Sequence, residues 1–151
     1  MNLNDLEQIK EEIRKFFDKT TFDLDVEVFL KENSTIFINV DSKEPQILIG
    51  EKGQTLTDIQ RLLKIILKKK TEDKIYVDLD INNYKKRKME NLKDLARQAA
   101  DEVVLANEEK ILSAMPPYER RIVHLELAKR LDISTESVGS DPDRKIIIKP
   151  L

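Results

Sequence analysis

Three groups of residues in this chain have the types and spacing to do chemistry. The first is Arg120 and His124, four positions apart in the run Ser113-Ala-Met-Pro-Pro-Tyr-Glu-Arg-Arg-Ile-Val-His-Leu-Glu-Leu127. On a helix that spacing puts both side chains on one face, with Cβ atoms roughly 6 Å apart. A cation and an imidazole so placed can grip one phosphate, with Arg121 beside them, and the ring can stack on or hydrogen-bond a base. His124 is the single histidine, but no Ser, Cys or carboxylate is patterned as its partner, so the chemistry is binding rather than catalysis. The same spacing also fits a half-buried, hydrogen-bonded pair, because Arg120 and His124 fall within the helical arc of Leu127 and Leu131.

The second group is Gly50-Glu51-Lys52-Gly53, which holds two of the three glycines. It joins an apolar run, Ile47-Leu48-Ile49, expected as a strand, to an amphipathic helix. Glycine lets a backbone approach a ligand closely, and amides at a helix start point toward anions, so the turn suits phosphate. Lys52 adds a cation and Glu51 a repulsive carboxylate. An ordinary strand-to-helix turn would look the same. Ile47, Ile49, Leu56 and Ile59 are candidates for the floor of an adjoining groove, at least two of them being core residues.

The third group is Lys85-Lys86-Arg87-Lys88, a basic island that could contact phosphates or simply face solvent. Its context is a nearly balanced chain: 27 basic and 29 acidic residues among 151, net charge −2. That balance excludes a uniformly basic nucleic-acid coat. The charge is uneven, however. Residues 1–32 carry 5 basic and 9 acidic residues, whereas 41–70 carry 7 and 4. Asp23, Asp25 and Glu27 on one strand and Asp78 and Asp80 on another are expected on a solvated sheet face that repels a polyanion. They alternate as such a face does and no histidine lies nearby in sequence, so no metal site and no cofactor are expected. Phe29 and Phe37 share this face, as contacts for another domain or subunit or under a covering loop. The absence of cysteine fits a reducing, cytoplasmic address, and no run approaches a membrane span of about 20 apolar residues.

The elements that position these groups follow from periodicity. Leu6, Ile9, Ile13, Phe16 and Phe17 recur at helical steps, ending near Lys19. Leu24, Val26, Val28 and Leu30, then Ile36, Ile38 and Val40, alternate as a hairpin. Keeping the aliphatic residues on one face pairs Val28 with Ile38, Val26 with Val40 and Phe29 with Phe37. A helix carrying Leu56, Leu63 and Leu67 and a strand from Ile75 to Ile81 complete the first unit. Asn82-Asn83 is expected to cap a long helix over 84–109. Beyond it come a short strand at 110–115, a helix from Pro117 to about Leu131, and strands at 133–138 and 145–149.

At this point the residues carry a resemblance. Residues 1–82, with Gly50 to Gly53 in the order helix, strand, strand, turn, helix, strand, resemble a KH domain with its extra helix and strand at the N-terminal end. Residues 83–151, with Arg120 and His124 between Met-Pro-Pro-Tyr-Glu and Ser134-Thr-Glu-Ser-Val-Gly139, resemble an R-three-H domain with a small three-stranded sheet. The two in this order, with the 84–109 helix between them, are similar to the bacterial Jag (SpoIIIJ-associated) family. The family's usual extra N-terminal domain and linker have no counterpart in these residues.

The resemblance implies an α+β protein of two small domains. It implies a non-enzymatic RNA-binding protein that takes single strands through Gly50, Glu51, Lys52 and Gly53, through Lys85, Lys86, Arg87 and Lys88, and through Arg120, Arg121 and His124. It also implies a post-transcriptional role linked to cell elongation or division. Single-stranded DNA is an alternative ligand. A protein-interaction adaptor in an envelope or division assembly, docking a second small KH protein without membrane insertion, is the alternative function.

Overall fold

The computed structural model describes residues 3–31, 34–71 and 74–151, and the chain divides into two compact units, residues 1–85 and 86–151. Both mix helix and strand, as an α+β chain should. In the first, helix α1 (Leu3–Asp18) precedes strands β1 (Leu24–Lys31) and β2 (Thr35–Ser42), a short helix α2 (Pro45–Ile49), helix α3 (Gln54–Lys68) and strand β3 (Tyr76–Ile81). The sheet order is β1-β2-β3, with β1 antiparallel and β3 parallel to β2. Val28 pairs with Ile38, Val26 with Val40 and Phe29 with Phe37, as the alternation requires. The hairpin tip at Glu32 and Asn33 lies outside the described residues.

Ile36, Ile38 and Val40 of β2 and Leu79 and Ile81 of β3 are buried against Ile9 and Ile13 of α1 and Leu56, Leu63 and Leu67 of α3. Each such side chain contributes about 1.5–3 kcal/mol relative to exposure. Phe16 and Phe17 meet edge to face at 5.1 Å at the end of α1.

Residues 47–49 are helical, not a strand. Three apolar residues are too few to reveal a period, and Pro45 occupies the first helical turn, where its fixed φ and missing N–H do no harm. Burial of the adjacent Leu48 and Ile49, with Ile47 57% exposed, is a helical pattern, since a strand would put 47 and 49 on one face. Gly50 to Gly53 therefore join two helices. Of the proposed groove floor, Ile49 and Leu56 are core, Ile59 is partly buried and Ile47 faces solvent.

Asp23, Asp25 and Glu27 are solvent-exposed as expected, but Asp80 is buried. Its Oδ1 accepts the amides of Ile81 at 2.8 Å and Lys85 at 3.2 Å, satisfying a donor that the start of the next helix leaves open. Asn82, expected as that helix's cap, serves the sheet instead. Its side chain accepts from the Ser42 amide and donates to the Ser42 carbonyl, both at 2.9 Å, from a left-handed backbone with φ 49°.

The second unit takes up helix α4 (Tyr84–Ala106), which ends short of 109, followed by β4 (Lys110–Ile111), α5 (Pro117–Leu127), β5 (Ile133–Val138) and β6 (Lys145–Pro150). The antiparallel sheet runs β4-β6-β5. β4 covers only two residues of the expected 110–115 strand, although backbone bonds from Leu112 to Ile146 and Met115 to Arg144 continue alongside β6. Helix α5 ends at Leu127 rather than Leu131, because 128–132 must turn the chain into β5, with Arg130 held to Asp132. Ala96, Ala99, Ala100 and Val103 of α4 pack with Val123, Leu127, Ile146 and Ile148. The small alanine side chains let the helix approach this core closely.

Candidate nucleic-acid interface

Helix α5 opens with Pro116-Pro117 and carries Arg120 and His124 on its inward-leaning face. Arg120 is only 7% exposed. Its Nη1 donates to the Met115 carbonyl at 2.7 Å and to Asp141 Oδ1 at 2.6 Å, and its Nη2 to Asp141 Oδ2 at 3.3 Å. The guanidinium thus ties the segment before α5 to the β5–β6 turn. Its hydrogen bonds hold the Asp141 carboxyl below the ordinary range.

His124 lies over β5, where Thr135 and Ser137 alternate onto one face. Nδ1 is 2.8 Å from Thr135 Oγ1 and Nε2 is 2.9 Å from Ser137 Oγ. Burial, and then the charge of Arg120, push the imidazole below its usual value. A neutral ring fits this setting: one nitrogen donates to a hydroxyl and the other accepts from one.

Beside this framework an open depression of about 650 Å³ is lined by Tyr118, Arg120, Arg121, His124, Ser137 and Arg144, among others. Tyr118 is 66% exposed and Arg121 faces solvent. The Nε of Arg144 is buried and has no hydrogen-bond partner among the described residues. Three arginines around a half-enclosed space, one with an unspent buried donor and an aromatic face alongside, can receive a phosphate and a stacked base. Tyr118 and Arg144 were not singled out from sequence. Tyr118 had a readable signal, an aromatic three residues before Arg121 on the same helical face. Arg144 had none, because only the pairing of β6 with β5 brings it there.

In the first unit the Gly50–Gly53 loop is held in left-handed backbone at Gly50 (φ 72°), Lys52 (φ 52°) and Gly53 (φ 82°). A Cβ at Gly50 would lie 2.1 Å from Thr55 Oγ1 and 2.9 Å from the Thr55 amide nitrogen, and one at Gly53 would lie 2.8 Å from Tyr84 Cε1. Side chains are therefore excluded by neighbours, whatever the loop binds. Glu51 and Lys52 are both exposed on it.

The basic island is not uniform. The Lys85 Nζ bonds Asp78 and Gln60, and Lys88 pairs with Glu119 at 2.7 Å. Lys86 and Arg87 are exposed. Among the described residues no group of three His, Cys, Asp or Glu side chains could hold a metal ion, and no helix is long and apolar enough to cross a membrane.

The second unit's sheet, its α5 framework and the flanking depression define an R-three-H domain, and residues 90–150 match that family. The chain is a homologue of Jag-family proteins. It is 35% identical over 137 residues to the RNA-binding protein KhpB of Clostridium symbiosum, covering 90% of this chain and 62% of that protein. It is 33% identical to KhpB of Lactiplantibacillus plantarum, over 85% of this chain and 39% of that protein. With KhpB of Bacillus subtilis it shares 29% identity, over 78% of this chain and 58% of that protein. The chain thus spans less than two thirds of the length of these relatives.

Proposed function

We propose that this chain is a non-enzymatic, cytoplasmic RNA-binding protein that takes single strands, as the names of its relatives say of RNA binding in them, and acts in post-transcriptional control linked to cell elongation or division. The observation that carries this reading is the α5 depression, where the buried, unpartnered Arg144 Nε meets exposed Tyr118 and Arg121. In this reading Arg121 and Arg144 hold phosphate and Tyr118 stacks a base. Arg120 and His124, whose polar atoms already have protein partners, position α5 against β5 and the turn that follows it. Residues 1–82 act as a KH unit whose Gly50–Gly53 loop, with Lys52, clamps the strand's backbone, and Lys86 and Arg87 add phosphate contacts. Lys85 and Lys88 reach phosphate only by exchanging their present carboxylate partners.

The experiment is an anisotropy titration of a labelled single-stranded RNA across a salt series, with the wild type and a Tyr118→Ala/Arg121→Ala variant. Weakening by about tenfold or more in the variant, with affinity falling steeply as salt rises through counterion release, supports the reading. Salt-insensitive binding unaffected by the variant would point to an apolar docking surface and a protein-interaction adaptor. The deoxy version of the same oligonucleotide distinguishes RNA from single-stranded DNA.

A further inference from the structure

The open face of the first unit's sheet is divided in character. Strand register places Lys31, Thr35 and Tyr76 in one row across β1, β2 and β3, and Phe29, Phe37 and Asp78 in the next. The row beyond holds Glu27, Asn39 and Asp80. One end of the face is therefore acidic, whereas the Lys31 end carries three aromatic rings on three adjacent strands. Phe29 is 49% and Tyr76 46% exposed. The Lys31 ammonium sits 4.1 Å from the centre of the Phe37 ring, and that of Lys74 sits 5.5 Å from the centre of Tyr76. Lys64 and Lys68, on the outward side of α3, line a recess of about 190 Å³ with Lys74 and Tyr76. The one carboxylate in the two aromatic rows, Asp78, is bonded by Lys85.

We propose that this aromatic and lysine-rich end of the sheet is a further binding surface for single-stranded nucleic acid, separate from the Gly50–Gly53 loop and from the α5 depression. The inference rests on the RNA-binding reading above and extends it to a site nothing else assigns. Side chains directly opposite on neighbouring strands stand about 5 Å apart and diagonal ones about 7 Å. Phe29, Phe37 and Tyr76 can therefore receive successive bases of an unstacked strand. A base displaces the lysine ammonium from its ring, and the ammonium moves onto the adjoining phosphate, so each cation keeps a negative or π-electron partner. A protein partner fits the chemistry less well, because the buried centre of a protein interface is depleted in charge, whereas here four lysines surround the rings.

The test uses the full chain and a fluorescein-labelled oligouridylate about a dozen nucleotides long. Phe29→Ala/Tyr76→Ala should weaken binding at least about fivefold per ring removed, the range seen when single stacking aromatics are truncated. Both rings are half exposed, so the variant should keep its circular dichroism spectrum. Lys31→Gln/Lys74→Gln should reduce the steepness of the salt dependence by about 1.4 in log–log slope, for two phosphates released. Ultraviolet crosslinking of the wild-type complex should yield uridine adducts on peptides containing Phe29, Phe37 or Tyr76. Wild-type affinity in both variants, with adducts confined to Tyr118, would overturn this inference and leave the RNA-binding reading standing. A variant that changes only its sedimentation behaviour would assign the face to a second copy of the chain and also overturn it. No binding by the wild type to any oligonucleotide would remove both.

Discussion

Arg120 and Asp141 are joined by two hydrogen bonds, each terminal guanidinium nitrogen meeting its own carboxylate oxygen, at 2.6 and 3.3 Å. This is the geometry in which an arginine would hold a phosphate, and here a residue of the chain's own β5–β6 turn occupies it. The arginine is buried while the aspartate side chain is 52% exposed, so the pair anchors a surface turn from below.

Replacement of Arg120 by alanine should consequently lower stability. The buried Met115 carbonyl loses its charged donor, which costs about 1–3 kcal/mol. Lysine should restore part of the loss, supplying a point charge without the fork. Thermal melts of the three proteins check this. An unchanged melting temperature with weakened RNA binding would instead make Arg120 a direct ligand contact.

Arg144→Met should behave in the opposite sense. The substitution keeps an apolar stem of similar reach and removes a buried nitrogen that has no partner among the described residues. Stability should hold or rise by up to about 1 kcal/mol, while affinity for single-stranded RNA falls. Urea denaturation paired with binding titrations would read both effects. Loss of stability alone would mean that the arginine serves the fold.

Gly50 and Gly53 should differ when changed to alanine. Both would carry a side chain at positive φ, costing about 1–2 kcal/mol. At Gly50 the added carbon also meets the Thr55 backbone and Cβ, which cannot swing away, whereas at Gly53 it meets the ring of Tyr84. Gly50→Ala should therefore be the more destabilising in chemical denaturation, and Tyr84→Ala should recover part of the loss in Gly53→Ala only.

The His124 imidazole gives stability a pH dependence. Burial, then the Arg120 charge, depress its pKa below the ordinary 6.5, so the unfolded chain takes up the proton first. Stability from this group is complete above that value and declines as pH falls below it. Melting temperature should drop between about pH 7 and about pH 5, and His124→Gln should flatten that part of the profile. An identical slope in the variant would place the titrating group elsewhere.

The hairpin register was legible in the sequence because a one-residue slip would have turned Val26, Val28, Ile36 and Ile38 to solvent. Helix α2 was not legible, since the Ile47 to Ile49 run is shorter than one helical turn and Pro45 was its main signal. Asp80 followed the strand's alternation in sequence, yet the start of α4 encloses it. At the α5 site the helical spacing of Arg120 and His124 was readable, including its compatibility with a hydrogen-bonded pair. Their partners Asp141, Thr135 and Ser137 come from β5 and the turn after it, at sequence distances where no local pattern operates. The same holds for Arg144.

Strand β3 closes one side of its sheet, and the Leu79 amide there donates to the Gln60 side-chain carbonyl at 2.9 Å, itself bonded by Lys85. A side chain from the neighbouring helix stands where another strand's backbone would pair. The opposite border, β1, places Asp25 and Glu27 on one of its faces, so two copies aligned along it would bring like charges together. Both margins of the sheet are thereby guarded against strand addition between molecules, which should keep a chain that exposes three aromatic rings on that sheet from aggregating at high concentration.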